Sequence, residues 1–145
     1  MNIFQSTYDD RLQSWYILRS QLQNLTLSEQ CIEVDNWWQK APLVTHYLHQ
    51  SELSTWPGPW ELLVENTYCM LARGLGMCYT LYLSGVSDIE FALAKDDMNE
   101  DAVLVLVDNA KYILNYHPNT VISNTLTEFK ITAKLDIEEL TKKIK

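Results

Sequence analysis

The rhythm of apolar and polar positions changes once along this chain. In the first half, apolar residues recur every three or four positions, the period of a helix with one face on a core. Leu12, Trp15, Leu18, Leu22 and Leu25 share such a face over residues 8–25. Asp9 and Asp10 stand near its start, where the helix dipole favours negative charge. Thr26 and Glu29 have capping-box spacing, which predicts a second helix from there to Gln39. Pro42 disfavours helical backbone at Ala41, so the chain should bend before a short third helix over residues 43–49. Trp56-Pro57-Gly58-Pro59-Trp60 predicts a rigid turn, with Pro59 suited to open the next helix, residues 60–75. That helix is apolar nearly all round, which predicts burial, and Gly74 and Gly76 are its expected stop.

The back half reads as strands. Residues 77–83, 89–94, 102–107 and 111–115 are β-rich runs with short connections, the pattern of antiparallel hairpins. Residues 102–107 are apolar on both faces. This predicts a central strand with helices on one side and possible cover by a partner on the other. Residues 116–131 fit no single element, and residues 136–144 predict a last helix with Ile137, Leu140 and Ile144 on one side. The expected fold is α+β: N-terminal helices packed on a four-stranded, mainly antiparallel sheet, with a short C-terminal helix. No repeat, low-complexity stretch or long linker divides it. One domain spans residues 1–145, mainly helical over 1–76 and mainly strand over 77–145.

A chain of 145 residues can bury a core without metals or disulfides. Its net charge of −8, from 11 basic against 19 acidic residues, argues against a nucleic-acid partner. Lys142, Lys143 and Lys145 form the only basic cluster and fit the last turn of a helix. Cys31, Cys69 and Cys78 are odd in number, lack zinc or CxxC spacing and sit among apolar residues. Such cysteines act as small hydrophobes in a reducing compartment. The start lacks a signal peptide's charged-then-apolar pattern, and no run approaches the ~20 apolar residues of a membrane span. A membrane partner is therefore not expected.

Among catalytic signatures, GxSxG, Walker A, GxGxxG and HExxH are all missing. His46, His49 and Glu52 recur at helical spacing, and a solvated helix face explains them more simply than a metal site. Neither metal nor cofactor is expected. Cys69 and His117 could pair as nucleophile and base. Against this, an activated Cys usually sits at a helix N-terminus, whereas Cys69 falls more than two turns into its predicted helix. The dense aromatics carry more weight. Trp37, Trp38, Tyr47, Trp56 and Trp60 are candidate interface residues, because Trp and Tyr dominate contact hot spots. Packing of the first helices onto the sheet would use them equally well.

Two resemblances follow. The run LGMCYTLYLSG (75–85), then residues 102–107, a turn and residues 111–118, resembles the core of transglutaminase-like cysteine proteins over about residues 60–119. In that family a Cys-bearing helix leads into an antiparallel sheet. The resemblance implies a Cys at the helix start, a His opening one strand and an Asp before a Pro after the next. Counting back from Gly76, the Cys falls near Glu61; the His falls near Asp101 or Ala102, and the Asp at His117. None of the three is carried over, which implies a site without its catalysis.

The stretches DNWWQKAP (35–42), HYLH (46–49) and WPGPWELL (56–63) resemble small proteins of tailed bacteriophages. This implies a structural subunit of the virion, in tail, baseplate or neck. It would be made in the host cytoplasm and would contact other virion proteins in a multi-subunit assembly, without catalysis. Two alternatives stay open. One is a cysteine-dependent hydrolase or acyltransferase using Cys69 and His117. The other is an acidic phage-made protein that occupies a host protein.

Overall fold

Two threonines start the first two helices. The computed structural model describes residues 2–45, 47–50, 52–117, 120–122 and 128–142. Helix α1 (Tyr8–Leu22) follows Thr7, whose hydroxyl accepts the Asp10 N–H at 3.2 Å. Helix α2 (Leu27–Trp38) carries the expected capping box. Glu29 N donates to Thr26 Oγ1 at 3.2 Å, and Thr26 N donates to Glu29 Oε1 at 3.0 Å. Each cap satisfies a backbone donor that a helix start leaves open.

The helix expected over residues 43–49 is not formed. Leu43 makes a parallel bridge with Tyr68, Val44 N donates to Tyr68 O at 2.7 Å, and only a one-turn 3₁₀ helix, Leu53–Thr55, follows. The backbone after Pro42 finds its partner on another segment instead of within itself. His46 lies outside the described residues.

The largest correction concerns residues 60–83. One helix followed by a strand was expected, but the chain forms two helices, α3 (Pro59–Glu65) and α4 (Met70–Leu83). The break falls at Asn66, with φ 52°, whose N–H closes onto Leu62 O at 3.0 Å. Asn tolerates this left-handed cap where most side chains do not. Helix α4 then runs through both glycines and the β-favouring run beyond them, because buried packing outweighs local preference.

The glycines mark close approaches, not stops. A Cβ on Gly76 would lie 2.6 Å from the Trp38 ring, and one on Gly74 would lie 2.8 Å from Asn115 Nδ2 and 2.9 Å from the Phe91 ring. A Gly76→Ala substitution sets two effects against each other. Helix propensity favours Ala by about 1 kcal/mol, while forcing a methyl into a packed core costs about 1–3 kcal/mol. Trp38 is 1% exposed and cannot step aside cheaply. The expected result is a net loss of about 1–2 kcal/mol and a lower Tm in a circular-dichroism melt. An unchanged or higher Tm would show that Trp38 is free to shift.

The sheet contains β1 (Ile89–Lys95), β2 (Asp101–Val107), β3 (Tyr112–His117), β4 (Thr120–Ile122) and β5 (Lys130–Asp136), in the order β4-β3-β2-β1-β5. Every pairing is antiparallel, and α5 (Ile137–Thr141) follows β5. The α+β class, the antiparallel sheet and the short C-terminal helix therefore stand. Strand β5 takes the place of the strand expected at residues 77–83, the three-residue β4 adds an edge, and the helical part extends to Leu83.

Strand β2 is buried on both faces, as its apolar run predicts. Val103, Val105 and Val107 join the core shared with the helices; Ala102, Leu104 and Leu106 join a second cluster with Ala92, Ile113 and Phe129. Phe129 and Tyr116, with ring centroids 4.8 Å apart, belong to that second side, so residues of the chain itself help to fill it.

Between β2 and β3, Asp108, Asn109 and Ala110 have φ of 58°, 55° and 63°. Asp and Asn visit this left-handed region readily, while Ala is strained there by about 1–2 kcal/mol. Ala110→Gly is accordingly expected to raise stability by about 1 kcal/mol in a denaturant titration. A loss would mean that the Ala110 methyl matters more to the second cluster than its strain costs.

Candidate functional site at the start of helix α4

The break at Asn66 decides where Cys69 sits. Thr67 and Tyr68 carry the chain from α3 to α4, and Tyr68 is fixed by its O–H donating to Leu62 O at 3.0 Å. Cys69 is then the N-cap of α4, with extended backbone (φ −116°, ψ −179°) and 6% exposure. It is not two turns into a helix, as its expected position had it.

Next to Met70, the residue after Cys69, lies a cleft of about 330 Å³, lined in part by Thr45, Leu48, His49, Met70, Asp101 and Val103; Cys69 itself is buried in the core and is not part of that lining. Met70 is the first residue of α4, and Asp101 opens β2 and pairs with Lys95 across the hairpin.

Beneath the helix start is a polar knot. Asn115 of β3 is 2% exposed and has φ 71°, a left-handed residue inside a strand. Its Nδ2 donates to Met70 O at 3.0 Å and to Val103 O at 2.8 Å; its Oδ1 accepts Arg73 Nε at 2.7 Å. Its backbone N–H donates to Asp35 Oδ1 at 3.0 Å. One residue thereby ties α2, α4, β2 and β3 together. Burial holds the Asp35 carboxyl above the ordinary carboxylate range, against the opposite pull of Asn115 N–H, Gln39 and Arg73. Burial lowers the Arg73 guanidinium, and Asp35 partly restores it.

All three thiols are buried in the same core. Burial pushes Cys31 up to about 12, with the Asp108 and Asp35 charges adding to the effect, and burial raises Cys78 as well. All three cysteines are free.

The aromatic candidates divide by position. Trp37, Trp38 and Trp56 are 8%, 1% and 2% exposed, and each indole N–H is bonded, to Ser14 Oγ, Thr80 Oγ1 and His49 O respectively. They serve the core instead of an outer surface. Tyr47 is half-buried against that core. Trp60 is 40% exposed, edge-on to Trp15 at 5.8 Å.

His49 and Glu52 are exposed, but the helix that would have aligned them with His46 is missing. Among the described residues no three His, Cys, Asp or Glu gather as metal ligands. His117 closes β3, and its side chain lies outside the described residues, so its pairing with Cys69 lies outside them too. Sequence reading passed over Asp35, Arg73 and Asn115. Each is a buried polar residue in an element that also supplies core side chains.

Helix α4 thus opens at a buried cysteine and packs on an antiparallel sheet, with Asn115 of β3 bonded beneath its start and Asp101 of β2 exposed at the nearby cleft. No protein-family model and no curated protein matches the sequence. Among solved structures the chain is similar to Legionella pneumophila LapG: TM-score 0.73 at 14% identity, over 89% of this chain and 74% of that one. The calcium-bound LapG structure gives 0.75 at 14% identity, over 92% and 78%. At this identity the likeness shows a shared fold.

Proposed function

We propose that this protein is a transglutaminase-like domain that holds a partner polypeptide in the cleft at the start of helix α4 without cleaving it. LapG is itself a transglutaminase-like cysteine protease, which supports the resemblance read from the sequence. Cys69 stands at the helix start, where that family expects its Cys, and not near Glu61. Asp101 opens β2, where the His is expected. On β3 the buried polar residue among the described side chains is Asn115.

The observation that carries this reading is the commitment of the Asn115 amide. Its nitrogen serves Met70 and Val103 and its oxygen serves Arg73. A triad needs a third member free to orient an imidazole, and here that member is tied into the frame. The test is a fluorogenic peptide panel incubated with the purified protein. No turnover is expected, and turnover abolished by Cys69→Ala would overturn the reading.

One observation favours a second reading, a thiol-dependent hydrolase. His49 lines the same cleft as Met70 and Asp101, so a histidine reaches the site from a loop instead of a strand. Peptide hydrolysis lost in both Cys69→Ala and His49→Ala would establish it. A place in a phage virion is a separate proposal resting on sequence resemblance alone, and the fold lends it no support. Mass spectrometry of purified particles tests it: a fixed copy number would support a contact-making subunit, and absence would end the idea.

A further inference from the structure

We infer that the occupant of the cleft is an extended polypeptide segment that brings a lysine or arginine side chain to Asp101. This rests on the binding reading above and adds the chemistry of the ligand. Shape comes first. About 330 Å³ accommodates one or two side chains, and Leu48, Met70 and Val103 give it an apolar floor. The segment that leads into the rim at Thr45 is already strand-like: Leu43 is bridged to Tyr68, and Leu43 and Val44 stay 42% and 48% exposed. An extended segment laid along such a rim gains apolar contact while its backbone stays open to hydrogen bonding.

Charge selects among extended segments. The cleft lining contains no Lys or Arg, and Asp101 at its edge is backed by Asp96, Asp97 and Glu100 on the β1–β2 hairpin. That hairpin holds its own shape, since Asp96 Oδ1 accepts both Met98 N and Glu100 N at 2.9 Å. Lys95 is the only hairpin cation among these acids; it is paired with Asp101 in an exposed bridge. Such bridges are weak, so a ligand cation can displace it. The chain's net charge of −8 steers cationic ligands towards the protein at long range.

The test titrates the full chain with three capped octapeptides: alternating Val-Lys, Val-Ser and Val-Glu. Calorimetry gives affinity, and the Trp56 indole N–H signal in nuclear magnetic resonance gives location, because that indole donates to His49 O at 2.9 Å. The Val-Lys peptide is expected to bind, shift the Trp56 signal and lose about tenfold in affinity with Asp101→Asn. Asp88→Asn, at the opposite end of β1 from the hairpin and outside the lining, should change affinity by less than about threefold.

Equal binding of the Val-Ser or Val-Glu peptide with a Trp56 shift would sink the basic preference and leave the binding reading intact. Val-Lys binding that neither moves Trp56 nor responds to Asp101→Asn would place the site elsewhere and overturn the inference. No binding by any peptide would overturn both readings, and peptide cleavage would overturn the non-catalytic one.

Discussion

Replacing Thr80 with Val is expected to destabilise the protein by about 4 kcal/mol, because it strips the acceptor from two buried indoles at once. Thr80 is fully buried on α4. Its Oγ1 accepts Trp15 Nε1 and Trp38 Nε1, each at 2.9 Å, and donates to Gly76 O at 2.7 Å. Trp15 belongs to α1 and Trp38 to α2, so one hydroxyl joins three helices. Val has nearly the same shape, and packing changes little. What is lost is an acceptor for two N–H groups that are 0% and 1% exposed at their residues. Each buried donor left without a partner costs about 1–3 kcal/mol.

Thr80→Ser keeps the hydroxyl and removes only a methyl, which should cost about 1 kcal/mol. The pair of variants separates hydrogen bonding from packing. Guanidinium titration should show a large fall in midpoint for Val and a small one for Ser. Equal losses would mean that the methyl, not the hydroxyl, matters. Domains of this size are stable by about 5–15 kcal/mol, so a 4 kcal/mol loss takes a large share of the total.

That hydroxyl also shows where sequence reading stops. Local signals were legible. Thr26 with Glu29 announced its helix, the short links between β1, β2 and β3 announced hairpins, and the doubly apolar run of β2 announced a central strand. Helix α4 was misread because its evidence is not local. Gly74 and Gly76 look like stops until Asn115, Phe91 and Trp38 are seen pressed against them.

The edge strand β5 was missed for a related reason. Lys130 and Lys134 and a register shift opposite Leu93 and Ala94 give it a mixed pattern, which is how an exposed edge resists pairing with other chains. The candidate site was half legible. Cys69 was singled out, yet its value turned on a helix boundary at Asn66, fixed by one left-handed residue. The tryptophans gave no sign of their depth, since composition does not distinguish a core indole from a surface one. Asn115 lies in a strand that reads as apolar, and only the three-dimensional arrangement shows it bonded to Asp35, 80 positions away.

Asn115→Asp puts an acid at this buried position, and it should cost at least about 3 kcal/mol, in the range for breaking buried polar pairings. The amide nitrogen becomes an oxygen facing Met70 O and Val103 O, which now lie 3.0 Å and 2.8 Å from a donor. Two hydrogen bonds turn into two repulsions. Arg73 Nε would still pair with the new carboxylate, but Asp35 already accepts the backbone N–H of this residue and already sits above the usual carboxylate range. A second acid here shares that burial and that neighbour, so its folded-state pKa is raised as well.

The sign follows from proton binding. A raised acid binds its proton more tightly when folded, so the deficit is fully present above the folded pKa and shrinks as pH falls through it. The variant should therefore show a Tm deficit that is larger at pH 8 than at pH 5. A deficit independent of pH would mean that the new carboxylate reaches water. Unchanged stability would mean more: the amide bonds would be dispensable, Asn115 would be free to give way to a catalytic acid, and the non-cleaving reading would lose its chief support to the hydrolase built on Cys69 and His49.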